Sequence, residues 1–243
     1  MLPENAPSSS SRHAGTFTEA QIAAEQAGFM RKVFAIMGAG LVATAVTSLV
    51  VVSSDSALRF IFGGGGTVFY GLLIAELVMV WTFVPLARRM SAISAGALFF
   101  AYAILNGVTL SVIFFRYTQG SIASTFFVTA GTFGAMSAYG YITKRDLTSV
   151  GNFMIMALFG LIMASVVNMF LHSPALYWGV TFVGVLVFVG LTAYDTQKIK
   201  EMNVIGNAGT DEDHKEAIHG ALVLYLDFIN LFLFMLRLLG RRR

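Results

Sequence analysis

Residues 147–171 read LTSVGNFMIMALFGLIMASVVNMFL and residues 173–194 read SPALYWGVTFVGVLVFVGLTAY; neither stretch contains an Asp, Glu, Lys or Arg. A helix needs ~20 mostly apolar residues to cross a hydrocarbon core ~30 Å thick at ~1.5 Å per residue. Both stretches are long enough. Working outward, residues 33–52, 91–115 and 117–143 are equally free of charge. Residues 67–87 hold one acid, Glu76, and residues 217–236 hold one, Asp227. Seven spans are expected, joined by mostly short connections that suit closely packed neighbours. Pro85 and Pro174 lie near the ends of their stretches, where a proline does little damage to a helix.

The composition of the whole chain agrees. Of 243 residues, 56% are hydrophobic and only 12% are charged, about half the charged share of a soluble domain. Such a chain cannot cover a water-facing surface, so a soluble globular domain is excluded. There is no cysteine, so the compartment is read from topology rather than redox chemistry. The net charge of +3 forms no basic face, which argues against nucleic acid as a partner and leaves the lipid bilayer. Residues 1–29 are polar and Ser-rich and read as a disordered tail ahead of a transmembrane domain over 30–240. The first apolar run has full spanning length, so a cleaved signal peptide is not expected.

Lys and Arg set the orientation. With a cytoplasmic N-terminus, that side holds Arg12, Arg31, Lys32, Arg88, Arg89, Lys144, Arg145, Lys198, Lys200 and Lys215. The opposite side holds Arg59 and Arg116 before the end of the chain, where Arg237 and Arg241 to Arg243 run against the rule. The bias favours a cytoplasmic N-terminus, with the last segment either crossing or re-entrant. Crossing is preferred, because 217–236 is long enough.

An acid at mid-bilayer costs about 2.5–3.5 kcal/mol on insertion scales, so it faces the bundle interior and finds a partner. Asp227 lies ten residues beyond Ala217, ~15 Å along the helix and close to the midplane. Packing glue and an ion or proton role both fit it, the latter better. Asn230 and Gly220 share its face. Asp195 closes the sixth span and, taken alone, reads as a solvated helix-end charge. Glu76 is a candidate half of an interhelical pair. Asn106 and Asn168 read as interhelical hydrogen-bond groups, and His172 and His219 as water-facing residues without metal-ligand spacing. Gly38, Gly40 and Ala43 fit a dinucleotide fingerprint, but they sit inside an apolar helix with no strand before them. Asp211, Glu212 and Asp213 fall in the last connection and read as a solvated loop.

The stretches TAYDTQKIK at 192–200, LYLDFINLF at 224–232 and LNGVTLSVIF at 105–114 resemble the transmembrane Bax-inhibitor-motif family. The likeness extends over about residues 30–240, and the polar tail and short loops look like the bacterial branch, a multi-pass protein of the inner membrane. The resemblance implies six helices around a central seventh. It also implies a pH-sensitive calcium leak controlled by two aspartates on the last two spans, Asp195 and Asp227 by motif match. Calcium is then the transported ion, held weakly and transiently, and no cofactor or catalytic residue is expected. An arginine at the cytoplasmic end of the second span would latch onto the pair, and Arg88 and Arg89 both stand there.

The spacing leaves a difficulty. Window arithmetic puts Asp195 at the cytoplasmic mouth and Asp227 near the midplane, so they meet only if the sixth helix continues past Lys200 or the seventh starts late. Two carboxylates sharing a site titrate in coupled steps, and a nearby cation favours their ionised forms. Calcium suits such oxygen ligands, and a leak needs them weak.

Two other functions compete. Some bacterial relatives point to a regulatory partner of a membrane-bound ATP-dependent protease, with the N-terminal tail as the contact. An intramembrane aspartyl protease would need a Gly-x-Gly-Asp sequence, whereas Leu224–Tyr225–Leu226–Asp227 has none. An enzyme is therefore not expected.

Overall fold

The computed structural model describes residues 17–87 and 89–243, and these are almost entirely helical. The helices are α1 (Glu19–Val52), α2 (Asp55–Phe62), α3 (Thr67–Ala87), α4 (Ala92–Leu110), α5 (Ile113–Arg116), α6 (Gln119–Ile142), α7 (Thr148–Leu171), α8 (Pro174–Met202) and α9 (Asp211–Leu239). Their starts are written in the sequence. Thr18, Ser91, Thr118, Ser173 and Thr210 each accept a backbone N–H of the first turn, which satisfies a donor the helix itself cannot. Between α2 and α3 the chain turns through Gly64, Gly65 and Gly66, all at positive φ, a region that disfavours side chains.

Six helical stretches are long and apolar enough to cross a membrane: 19–52, 64–87, 92–116, 148–171, 174–202 and 211–239. The chain is an all-α membrane protein. Helix α6 is long enough but more polar. Its Ser121, Ser124, Thr125, Thr129, Thr132 and Ser137 dilute the hydropathy.

Several boundaries differ from the apolar windows. Helix α1 begins at Glu19, inside the stretch expected to be a disordered tail, because Thr18 and Gln21 cap each other and Phe29 and Met30 reach the core. The 91–115 window is interrupted at Ser111–Val112, where Ser111 turns its hydroxyl onto the Val108 carbonyl. Helix α8 runs on to Met202, so only residues 203–210 remain as the last connection. Its lysines bend back onto aromatic rings rather than ending the helix: Lys198 lies over Tyr194 and Lys200 over Tyr141.

Helix α9 packs against α1, α4, α6 and α8 and touches α3. It buries Ala217, Ala221, Leu224, Tyr225, Phe228 and Leu231, the residues of successive turns. Helix α7 is the opposite case: it leans on α8 and buries only Gly151 and Leu161. Hydrocarbon offers little drive to bury one apolar helix against another, so close contact and hydrogen bonds carry the packing. At Gly140 a Cβ would overlap the Ala193 carbonyl, and at Gly151 it would meet the Tyr194 ring. These glycines let α6 lie against the α8 backbone and α7 against the Tyr194 ring, both next to Asp195.

Candidate functional site

Helices α8 and α9 run antiparallel. Gly184 receives Phe234 near one end of the pair and Gly220 receives Ile199 near the other. This register brings the carboxyl of Asp195 against that of Asp227. Asp227 is buried, only 5% exposed, and its Oδ2 has no hydrogen-bond partner among the described residues. Asp195 is half-buried, with Lys198 one turn further along. The extension of α8 to Met202 moves Asp195 from the mouth into the bundle, and so removes the depth difficulty.

A second buried carboxyl lies elsewhere. Glu76 on α3 accepts from the Thr109 hydroxyl and, at 3.5 Å, from the Asn106 amide. Asn106 accepts from the Tyr225 hydroxyl at 3.1 Å, and that oxygen lies 2.7 Å from Thr44 Oγ1. The chain of contacts joins α3, α4, α9 and α1. Asn106 is thus an interhelical hydrogen-bond group, and among the described residues Glu76 pairs with neutral partners rather than a cation.

Other expected residues fall outside both clusters. Arg89 is exposed and makes no ion pair among the described residues, while Arg88 lies outside the described residues. Asn168 does not join two spans in mid-membrane; its Oδ1 accepts the Ser173 N–H at 2.9 Å and fastens the α7–α8 turn. Asn230 turns its amide back onto the Leu226 carbonyl of its own helix at 2.8 Å. Among the described residues no three His, Cys, Asp or Glu gather as a metal cluster.

The acidic run 211–213 is not a solvated loop. It forms the first turn of α9, ahead of the apolar run, where carboxylates suit the positive end of the helix. Asp213 is 3% exposed and pairs with Lys32 of α1, and its Oδ2 also accepts the Gly209 N–H at 2.7 Å. Burial pushes the Asp213 carboxyl up, but Lys32 and the Gly209 N–H outweigh it and hold it below the usual carboxylate range. Asp211 accepts the Ala92 N–H at 2.9 Å and so caps α4; that bond, with Lys215, holds its carboxyl low. Sequence reasoning missed this clamp. The spacing of Thr210 to Asp213, a cap followed by an acid three residues on, was the available signal.

A crevice of about 390 Å³ opens between α1 and α6, with Phe228 and Phe232 of α9 in its wall. It holds neither aspartate. The hydroxyls in its wall are already spent, Thr44 on the Ala103 carbonyl and Ser48 on the Gly107 carbonyl. No carboxylate among the described residues lines it.

The family described as inhibitor of apoptosis-promoting Bax1 matches residues 26–243. The chain belongs to the Bax inhibitor family. Among its relatives is the inner membrane protein YbhL of Escherichia coli K12, 50% identical over 216 residues that cover 88% of this chain and 92% of YbhL. A protein of Borreliella burgdorferi is 44% identical over 215 residues, 88% of this chain and 92% of its own. A membrane protein of Streptococcus pyogenes is 35% identical over 226 residues, 93% and 96% of the two chains. The Bax inhibitor match begins within α1 and takes in every later helix, so the aspartate pair and the Glu76 cluster both lie inside it.

Proposed function

We propose that the chain is a pH-sensitive calcium leak of the bacterial inner membrane, gated by protonation of Asp195 and Asp227. The observation that carries this reading is the direct contact of the two carboxyls across α8 and α9, with one oxygen of buried Asp227 left without a partner among the described residues. An acid at this depth is costly unless it is paired or used. Two adjacent acids offer an ion four oxygens and offer protons a coupled titration. The proposed arrangement is seven spans, α1, α3, α4 with α5, α6, α7, α8 and α9. Helix α9 is central and the N-terminus cytoplasmic, as the lysine and arginine bias supports. The naming of YbhL as an inner membrane protein supports the compartment. Either Arg88 or Arg89 latches the pair in the closed state.

The test is calcium-dye fluorescence in proteoliposomes over a pH series. Flux should rise on acidification of the side facing the α8–α9 connection. Flux that equals empty liposomes at every pH would end the proposal. Reporter fusions at both termini test the topology, which requires the two ends to lie on opposite sides.

A further inference from the structure

We infer that the end of the bundle where the chain terminates carries a binding site for an anionic phospholipid headgroup. The C-terminal arginines do not trail away. Residues 241–243 fold back along the start of α6: Tyr117 and Arg242 form an antiparallel bridge. Arg241 accepts the Thr118 N–H at 3.1 Å, Arg243 donates its N–H to the Arg116 carbonyl at 3.0 Å, and Arg241 donates to Ser121 Oγ at 2.8 Å. The Arg242 guanidinium donates to the Tyr177 hydroxyl at 3.0 Å and lies over that ring.

This fold-back shapes a cavity of about 410 Å³ with Arg116, Arg242, His172, Tyr177 and Trp178 in its wall. No acidic side chain among the described residues lines it. Arg59, Arg116, Arg237, Arg241, Arg242 and Arg243 lie at this end against a single acidic side chain, Asp55. Among the described residues none of these arginines makes a salt bridge. The start of α8 on the cavity rim adds the positive end of its dipole.

Depth selects the ligand. Trp178 is 44% exposed and stacks edge-on with Tyr177, and such amphipathic rings sit where headgroups meet hydrocarbon. Arginine forks suit phosphate oxygens. A phosphodiester with one net negative charge, its acyl chains lying along the bundle, meets both requirements. The site also accounts for arginines that defy the charge bias of the other loops: they would be held by lipid phosphate.

Trp178 is one of only two tryptophans, so Trp81→Phe leaves it as the sole reporter. The full chain in phosphatidylcholine nanodiscs is titrated with brominated phosphatidylglycerol or brominated phosphatidylcholine. Bromine on the anionic lipid should quench Trp178 at the lower mole fraction. Arg116→Gln and Arg242→Gln should each lower that preference about fivefold, the effect of one surface arginine on an anionic lipid. Arg59→Gln, outside the cavity wall, should leave it intact. Both substituted arginines are exposed, and the comparison of the two lipids on the parent needs no variant. Equal quenching by the two lipids overturns the site. Loss of the preference on adding inorganic phosphate overturns the lipid assignment in favour of a soluble anion.

Discussion

Asp195 lies about two turns from the end of α8 and Asp227 more than four turns into α9, yet their carboxyls meet. The stagger explains it. Helix α9 starts beyond the end of α8, so its first turn reaches Lys32 and Asp211 reaches α4 while its fifth turn lies opposite Asp195.

The pair sets the first prediction. Asp195→Asn keeps the shape of a protonated carboxyl and should leak calcium at neutral pH with little further response to acid. Asp227→Asn removes charge deeper in the bundle and should lower calcium entry while flattening the profile. In the parent, flux should change up to about tenfold per pH unit through the transition. Proteoliposome flux over a pH series measures this, since two interacting carboxyls lose their protons in coupled steps. Parent-like flux and midpoint in both variants would make the pair packing glue.

The latch divides two neighbours. Arg89 is exposed and unpaired among the described residues, so Arg89→Ala should leave basal flux at the parent level. Arg88→Ala should raise it, because a desolvated carboxylate would lose its cation. A raised leak in Arg89→Ala alone reverses the assignment.

The Lys32–Asp213 pair predicts an acid-dependent stability. A carboxyl held low in the folded state contributes stability above its ordinary titration range and loses it as pH falls through the folded value. Lys32→Met strands a buried carboxylate and should cost about 2 kcal/mol, between the values for exposed and fully buried pairs. Thermal unfolding in detergent should show the parent losing more stability than the variant on acidification. Parallel pH profiles for the two proteins would sink the idea.

Close approach of α6 and α8 supplies the last prediction. Gly140→Ala drives a methyl into the Ala193 carbonyl and should destabilise by about 1–3 kcal/mol. Gly131 on the same helix faces open space, so Gly131→Ala should not destabilise and improves helix propensity. Comparable losses at both positions, read by thermal unfolding, would remove the special status of Gly140.

Helix existence was legible because twenty apolar residues in lipid have few other options. The α3 boundaries match the 67–87 window to the residue. Where the windows stopped at a charge, the helix often did not. Lys198 and Lys200 look terminal in sequence, but long stems let their ammonium groups reach Tyr194 and the Tyr141 carbonyl from within α8. The two aspartates were identifiable from their motifs. Their meeting depended on the register of α8 on α9, which Gly220, Ile199, Gly184 and Phe234 set through contacts no single-helix pattern encodes. The role of Tyr225 was hidden for the same reason: its hydroxyl has a purpose only beside Asn106 and Thr44.

Helix α9 is fastened at both ends, by Asp213 on Lys32 at its start and by residues 241–243 on the start of α6 beyond its finish. A slide of one turn, ~5.4 Å, would pull both fastenings apart. The two fastenings therefore act as end stops, and the depth at which Asp227 stands opposite Asp195 is set as much by the two ends of the chain's last helix as by the packing between them.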